Sequence, residues 1–446
     1  MADNCFVTVR KGKAQGYIRV PTSKSIAHRA LICAALTPIG STCVISDVPY
    51  NEDIDATLDC LAALGVSVQV QKNPLDENSR QVTVLGCGGR WKDGDKEGSA
   101  LHCRESGSTL RFILPLSLLS CSKRHFTGSS RLLQRPLSDY REVFANREWT
   151  QEETALTVGQ GQPIAAGTYY LSGKNSSQFV TGLLFVLPLL NGDSVITLEQ
   201  APESKSYIDM TLAVMAHFGI RAFWENGKCI VVPGGQLYRA TDMTVDGDAS
   251  GASFFHSMKA FGASVEVSNA PQSDILQGDS ICVKYLQKMV KNDGELPIIS
   301  LADCPDLGPI LFAAATLCRG AIFTHTARLR LKESDRVAAM VSELSKFGAN
   351  IITSDDHSDV LPPELQVLNN ASPCGGWVAV LPTSNGLHTP TEILNGYNDH
   401  RVVMSLAILC SIVGDGRISD ANAVRKSFPN FFDCMRQLGI IVDGDM

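Results

Sequence analysis

Leu64-Gly65-Val66-Ser67-Val68 closes an amphipathic helical segment on an apolar residue and a glycine, then opens a short β-branched stretch. Glycine suits the left-handed backbone that ends a helix, and valine favours a strand. The pattern returns at Phe218-Gly219-Ile220, Phe261-Gly262-Ala263, Phe347-Gly348-Ala349 and Leu438-Gly439-Ile440. One such junction is an ordinary helix-to-strand connection, but this many copies argue for a duplicated α/β unit with loops of variable length. A further copy is expected near residues 140 to 155. There Val143-Phe144-Ala145-Asn146-Arg147-Glu148-Trp149 lacks the glycine and reads as a degenerate repeat.

A chain of 446 residues exceeds one ordinary hydrophobic core, so two or more domains are expected. A seam is expected near residue 240, at Arg239-Ala240-Thr241-Asp242. Hydrophobic residues at 44% and charged residues at 19% fit a globular α/β or α+β protein. The net charge of −7 argues against a nucleic-acid partner, so cations must be concentrated locally if anions are bound. The 14 cysteines form no C-x-x-C pair and read as reduced thiols, without zinc. No secretory signal is recognised at Met1-Ala2-Asp3-Asn4-Cys5, and a cytoplasmic location is expected. The apolar runs 179–190 and 402–413 are too short for a bilayer and are expected as buried helices.

Local concentration of cations is what the sequence shows. Pro21-Thr22-Ser23-Lys24-Ser25-Ile26-Ala27-His28-Arg29 opens an apolar helix. A helix start offers free N–H groups and the positive dipole end. A cap explains the serines. It does not explain Lys24, a cation placed where only an intervening anion makes it favourable. Arg29 falls on the face of Ser25. Arg104-Glu105-Ser106-Gly107-Ser108-Thr109-Leu110-Arg111 and Asn175-Ser176-Ser177-Gln178 are similar openings without an acidic cap. Arg131 and Arg135 offer planar pairing to phosphate or carboxylate, although a solvated arginine is the simpler reading of Arg131. Arg328 to Arg336 alternates like a strand running into a helix, with Lys332, Glu333 and Arg336 expected on one face. Gly396-Tyr397-Asn398-Asp399-His400-Arg401 opens the 402–413 helix. Taken singly, most of these read equally well as capped turns or solvated salt bridges.

In this order the segments resemble the 5-enolpyruvylshikimate-3-phosphate (EPSP) synthases of the enolpyruvyl transferase family. Ser204-Lys205 with Tyr207-Ile208-Asp209, Gly247-Asp248-Ala249-Ser250, Pro305-Asp306 and Lys426-Ser427-Phe428-Pro429 extend the likeness over nearly the whole chain. It implies a two-domain inverse α/β barrel of repeated βαβαββ units, with the active site in the interdomain cleft. The implied domains are 1–21 plus 247–446, and 22–246. The family moves the enolpyruvyl group of phosphoenolpyruvate to the 5-hydroxyl of shikimate 3-phosphate and releases phosphate, in aromatic amino acid biosynthesis. By position, Lys24, Gly107, Arg135, Gln178, Arg336, Arg401 and Lys426 would hold phosphoenolpyruvate. Ser25, Arg29, Ser176, Ser177, Gln178, Ser204, Tyr207, Asp306 and Lys332 would hold shikimate 3-phosphate. Asp306, Glu333 and Lys24 would be catalytic. The resemblance implies no cofactor, no metal, no membrane and a monomer.

Thr22, His28, Glu105, Ser108, Phe112, Ser206 and Arg328 depart from residues common in the family. The UDP-N-acetylglucosamine enolpyruvyl transferases are the nearest rival, but they rely on a loop cysteine and 127–135 has none. A binding paralogue without turnover would be expected to lose Lys24, Asp306, Glu333 or Lys426, and all four are present.

Overall fold

The computed structural model describes residues 5–73, 78–92, 100–173, 176–202, 204–271, 277–291, 295–354, 376–384 and 386–444. The chain divides into two compact units. One comprises Pro21–Gly247 with Ile275–Gln277, and the other Met1–Val20, Asp248–Asp274 and Gly278–Met446.

In the first of these, helices α1 (Lys24–Leu36), α2 (Glu52–Ala63), α3 (Gly107–Ser117), α4 (Ser130–Gln134), α5 (Ser138–Val143), α6 (Ser177–Val186) and α7 (Lys205–His217) alternate with strands. Three four-stranded sheets share one order. In the second sheet, Leu101–His102 lies parallel to Arg124–Thr127, then Ala155–Val158 and Trp149–Gln151 follow antiparallel. Thr168–Leu171, Ser194–Leu198, Cys229–Val232 and Phe223–Asn226 repeat this. The first sheet obtains its leading strand, Met243–Thr244, from the far end of the unit, parallel to Thr42–Pro49. Helices form the inner layer. α1 packs on α2 and α7, α2 on α3, α3 on α6, and α6 on α7, which closes a ring of helices. That is why α1 is buried from Ile26 to Leu36 and has no polar face.

The other unit contains α8 (Ala249–Ala260), α9 (Cys282–Val290), α10 (Gly308–Thr316), α11 (Arg336–Ser345), α12 (His400–Val413) and α13 (Phe431–Gln437). Ile298–Ser300, Ala321–Thr324, Trp377–Leu381 and Asn350–Thr353 form the same ordered sheet. The C-terminal sheet is completed by the N-terminus: Val7–Val9 enters between Gly416–Ile418 and Val442–Asp443. Gln15–Ile18 pairs in parallel with Ser264–Val267. The expected buried helices at 179–190 and 402–413 are α6, extended by a 3₁₀ turn, and α12.

All five repeat glycines adopt positive φ, from 78° at Gly219 to 98° at Gly65 and Gly262. The degenerate copy solves the same junction differently. Arg147 turns inward and donates to the carbonyls of Ser120, Gly159, Gly161 and Gln162 at 2.9 to 3.2 Å. Burial lowers its proton affinity, but the ring of carbonyls satisfies the guanidinium.

Candidate active site

Ser23 caps α1 by accepting from the Ile26 N–H. The anion that makes Lys24 tolerable at this helix start belongs to the protein: Lys24 Nζ lies 2.7 Å from Asp53 Oδ2, in the first turn of α2. Asp53 was not singled out from sequence, because acidic residues in a first turn are ordinary helix chemistry. Arg29 follows one turn later, fully buried. Its Nε donates to Thr211 Oγ1 at 2.8 Å, Nη1 to the Ser25 carbonyl at 2.6 Å and Nη2 to the Tyr207 carbonyl at 2.9 Å. Burial pushes its pKa down to about 10. Arg29 therefore ties α1 to α7 and orients Ser25 and Tyr207. Ser204, at the head of α7, is buried with φ 58°.

His28 and Phe112, two of the departures, pack together. Their rings meet edge-on at 6.2 Å, and the Arg29 guanidinium lies 5.4 Å from the Phe112 centroid. His28 Nδ1 bonds Thr57 Oγ1, Thr57 bonds Thr109, and Thr109 donates to the capping Ser106, each at 2.8 Å. Burial and the neighbouring Lys24 and Arg29 hold the His28 proton affinity well below its ordinary value, so this relay is uncharged. The third departure, Thr22, donates through its hydroxyl to the Asp47 carbonyl, while the Ser23 N–H donates to Asp246 O at 2.6 Å.

Gly107, Arg135 and Gln178 are brought together as the sequence suggested, and Arg111 joins them. A Cβ on Gly107 would sit 2.8 Å from Arg135 Nη1, 2.9 Å from Arg111 Nη1 and 3.6 Å from Gln178 Oε1. Arg111 Nη1 donates to Gln178 Oε1 at 2.8 Å, and Gln178 Nε2 donates to Ser108 Oγ at 2.9 Å. Two guanidinium groups over a bare glycine form a cradle for a planar anion. Ser176 caps α6 by accepting from the Gln178 N–H, and Ser177 is buried beside it. Asn175, which opens that motif, lies outside the described residues.

The second cluster belongs to the other unit. The stretch expected to run from strand into helix is instead a 3₁₀ turn, Ala327–Leu331, and α11 begins only at Arg336 behind the cap Asp335. Lys332 is therefore not a helical neighbour of Arg336. Asp306 joins them, with Oδ1 3.2 Å from Lys332 Nζ and 2.9 Å from Arg336 Nη1. Arg336 also reaches Glu333 Oε2 at 2.6 Å and Asp399 Oδ2 at 2.9 Å. Burial opposes its charge, but these three carboxylates overcome that and raise its pKa. Burial lowers the Lys332 pKa, assisted by Arg336 and Arg328 and resisted by Asp306 and Glu333. Asp399 caps α12 through the Arg401 N–H at 2.9 Å. Arg401 Nη2 lies 3.9 Å from Asp306 Oδ2, and among the described residues its buried Nε has no hydrogen-bond partner. Lys426 Nζ donates to the Asn398 carbonyl at 2.7 Å.

Sequence reading also missed Asp279. It is buried beneath this cluster, and Ser250 donates to its Oδ2. Burial and then the charge of Asp306 push its pKa up to about 7, against the pull of Ser250 and Arg401. Its position after Gln277-Gly278 carries no chemical signal by itself. Among the described residues no His, Cys, Asp or Glu group is placed to hold a metal ion, and no helix is long and apolar enough to cross a membrane.

Repeated βαβαββ sheets carrying two arginine- and lysine-rich clusters with embedded carboxylates define an α/β protein built to handle small, multiply charged anions. Known structures share this architecture. The EPSP synthase of Acinetobacter baumannii superposes with a TM-score of 0.73 at 22% identity, covering 99% of this chain and all of that one. The enolpyruvyl transferase NikO of Streptomyces tendae gives 0.70 at 12% identity, covering 99% of each. A family model described as EPSP synthase (3-phosphoshikimate 1-carboxyvinyltransferase) matches residues 9–435. The 3-phosphoshikimate 1-carboxyvinyltransferase of Clostridium kluyveri is 33% identical over 98% of both chains, and that of Clostridioides difficile is 33% identical over 97% of both. The chain belongs to the EPSP synthase family.

Proposed function

We propose that the chain carries out the family reaction, moving the enolpyruvyl group of phosphoenolpyruvate to the 5-hydroxyl of shikimate 3-phosphate with release of phosphate. The observation that carries this reading is the end-to-end match to relatives bearing that enzyme name, on a chain that keeps both charged clusters.

The two substrates bring two phosphates and two carboxylates, about five negative charges in all. Arg336 is largely committed to protein carboxylates and Arg29 to protein oxygens. Substrate charge is then shared by Lys24, Arg111, Arg135, Lys332, Arg401 and Lys426, of which Lys24 and Lys332 also face Asp53 and Asp306. In this reading Lys24, the Gly107 cradle with Arg135 and Gln178, Arg401 and Lys426 hold phosphoenolpyruvate, with Arg336 placing its carboxylate neighbours. Ser25, Ser176, Ser177, Ser204, Tyr207 and Lys332 hold shikimate 3-phosphate, with Arg29 orienting them.

The chemistry needs a proton delivered to the methylene carbon, which makes C2 electrophilic, and a proton removed from the attacking hydroxyl. Glu333 and Lys24 serve the methylene and the leaving phosphate. Asp306 takes the hydroxyl proton with Lys332 beside it. The tetrahedral adduct then loses phosphate and a methyl proton. The units are read as domains 1–21 plus 247–446 and 22–246, in a cytoplasmic monomer.

Phosphate release with both substrates, run beside UDP-N-acetylglucosamine as the alternative acceptor, tests the reading. Release dependent on shikimate 3-phosphate is expected. Release only with the nucleotide sugar, or none, would overturn it.

A further inference from the structure

Tyr397 and Asn398 are consecutive non-glycine residues in the left-handed region, with φ 54° and 48°. Side chains seldom adopt this backbone, and it persists only where the surroundings impose it. These two residues lead directly into α12. The Asn398 carbonyl receives Lys426 Nζ at 2.7 Å, and Asp399 next along receives Arg336 and caps the helix that carries Arg401.

The surroundings that impose the turn centre on Glu343 of α11, a carboxylate that is 1% exposed. Its Oε2 accepts from the Asn395 N–H at 2.8 Å, and its Oε1 from the Tyr397 hydroxyl at 3.3 Å. Lys346 neutralises it at 2.7 Å and grips the Ile393 carbonyl at 2.9 Å with the same ammonium. The carboxylate thus grasps the loop at Asn395, just before the strained pair, and at Tyr397, its first member. Gly396 permits the close passage, since a Cβ there would lie 2.3 Å from the Ser419 carbonyl.

We propose that Glu343, backed by Lys346, is a positioning residue that holds the 395–398 loop so that Lys426 and Arg401 are presented to phosphoenolpyruvate. Glu343 touches neither substrate in this account. It acts by fixing where one lysine and one helix start lie. The inference rests on the reading of Lys426 and Arg401 as phosphoenolpyruvate holders.

The test compares Glu343→Ala, Glu343→Gln and the parent in steady-state kinetics with each substrate varied, well below the melting temperature. The alanine variant is expected to raise KM for phosphoenolpyruvate about tenfold, the loss of bonds to a buried charge. KM for shikimate 3-phosphate should stay within about twofold, because Lys426 and Arg401 are assigned to phosphoenolpyruvate in this reading. Glutamine keeps one acceptor oxygen and should restore most of the affinity. Equal rises in both KM values, or no rise in a folded alanine variant, would overturn the proposal. Should Glu343→Ala fail to fold, Tyr397→Phe removes one bond alone and should shift the same KM selectively. If the parent itself lacks the proposed activity, inorganic phosphate is the probe. It should slow acylation of Lys426 in the parent and not in the alanine variant, and equal protection of the two would overturn the inference independently.

Discussion

Asp306 receives Lys332 and Arg336 through one oxygen, Oδ1, while its Oδ2 faces Arg401 at 3.9 Å. Such an orientation by flanking cations suits the base role proposed for Asp306. Asp306→Asn preserves the shape and removes the charge. It should lower kcat by at least about a hundredfold, within the range for loss of a general base, with an unchanged circular dichroism spectrum. Lys24→Ala should do likewise and leave Asp53 without its partner at 2.7 Å. Parent-like turnover in either variant would remove that residue from the mechanism. Asp279 makes a different prediction. Its folded pKa of about 7 lies above the ordinary carboxylate value of about 3.9. Between those values the folded state keeps a proton that the unfolded chain releases. Its contribution to stability is therefore complete at low pH and is lost as pH rises through about 7. Asp279→Asn, which mimics the protonated acid, should match the parent in urea unfolding at acid pH. It should be more stable than the parent above neutrality. Parallel pH profiles would refute this.

At the scale of elements, helix heads differ between the two units. α1, α3 and α6 are capped by Ser23, Ser106 and Ser176, whereas α8, α11 and α12 are capped by Asp248, Asp335 and Asp399. The serine heads leave the positive helix ends without a protein charge in the cap, which suits an incoming anion. At two of the aspartate heads the cap carboxylate also pairs a nearby arginine: Asp335 with Arg330, and Asp399 with Arg336. The repeat glycines end the helices, and Gly262 isolates their backbone term. Its φ is 98°, and an added Cβ would meet nothing within 4 Å. Gly262→Ala should therefore destabilise by about 1 kcal/mol through strain alone, measured by denaturant unfolding. Gly348→Ala should cost more, since its Cβ would press on the His388 ring at 2.9 Å.

For the whole molecule, ligand binding should register as stability. Shikimate 3-phosphate at a hundred times its dissociation constant should add about 2.7 kcal/mol, read as a rise in melting temperature. A flat melting curve at saturating ligand would argue against a built site. Much of this architecture was legible in the chain. Helix–glycine–strand junctions announce repeated α/β units because a left-handed helix end is a local demand that glycine meets locally. Serine caps are legible for the same reason, since a helix end and its first turn are neighbours in sequence, but the carboxylate that faces Lys24, Asp53, was not. The degenerate copy at Arg147 was visible only as a missing glycine, because the carbonyls that replace it come from residues 120, 159, 161 and 162. Likewise Asp53, Asp279 and Glu343 carry no local mark, and the 3₁₀ turn before Lys332 resembled a strand. These residues gain their meaning mostly from partners tens of positions away, or from burial that alternation along the chain does not encode. Sequence by itself determined which local conformations and charges this protein possesses. Only the tertiary structure decided which charges neutralise each other, because electrostatic pairing depends on distance in space and on the water that folding removes.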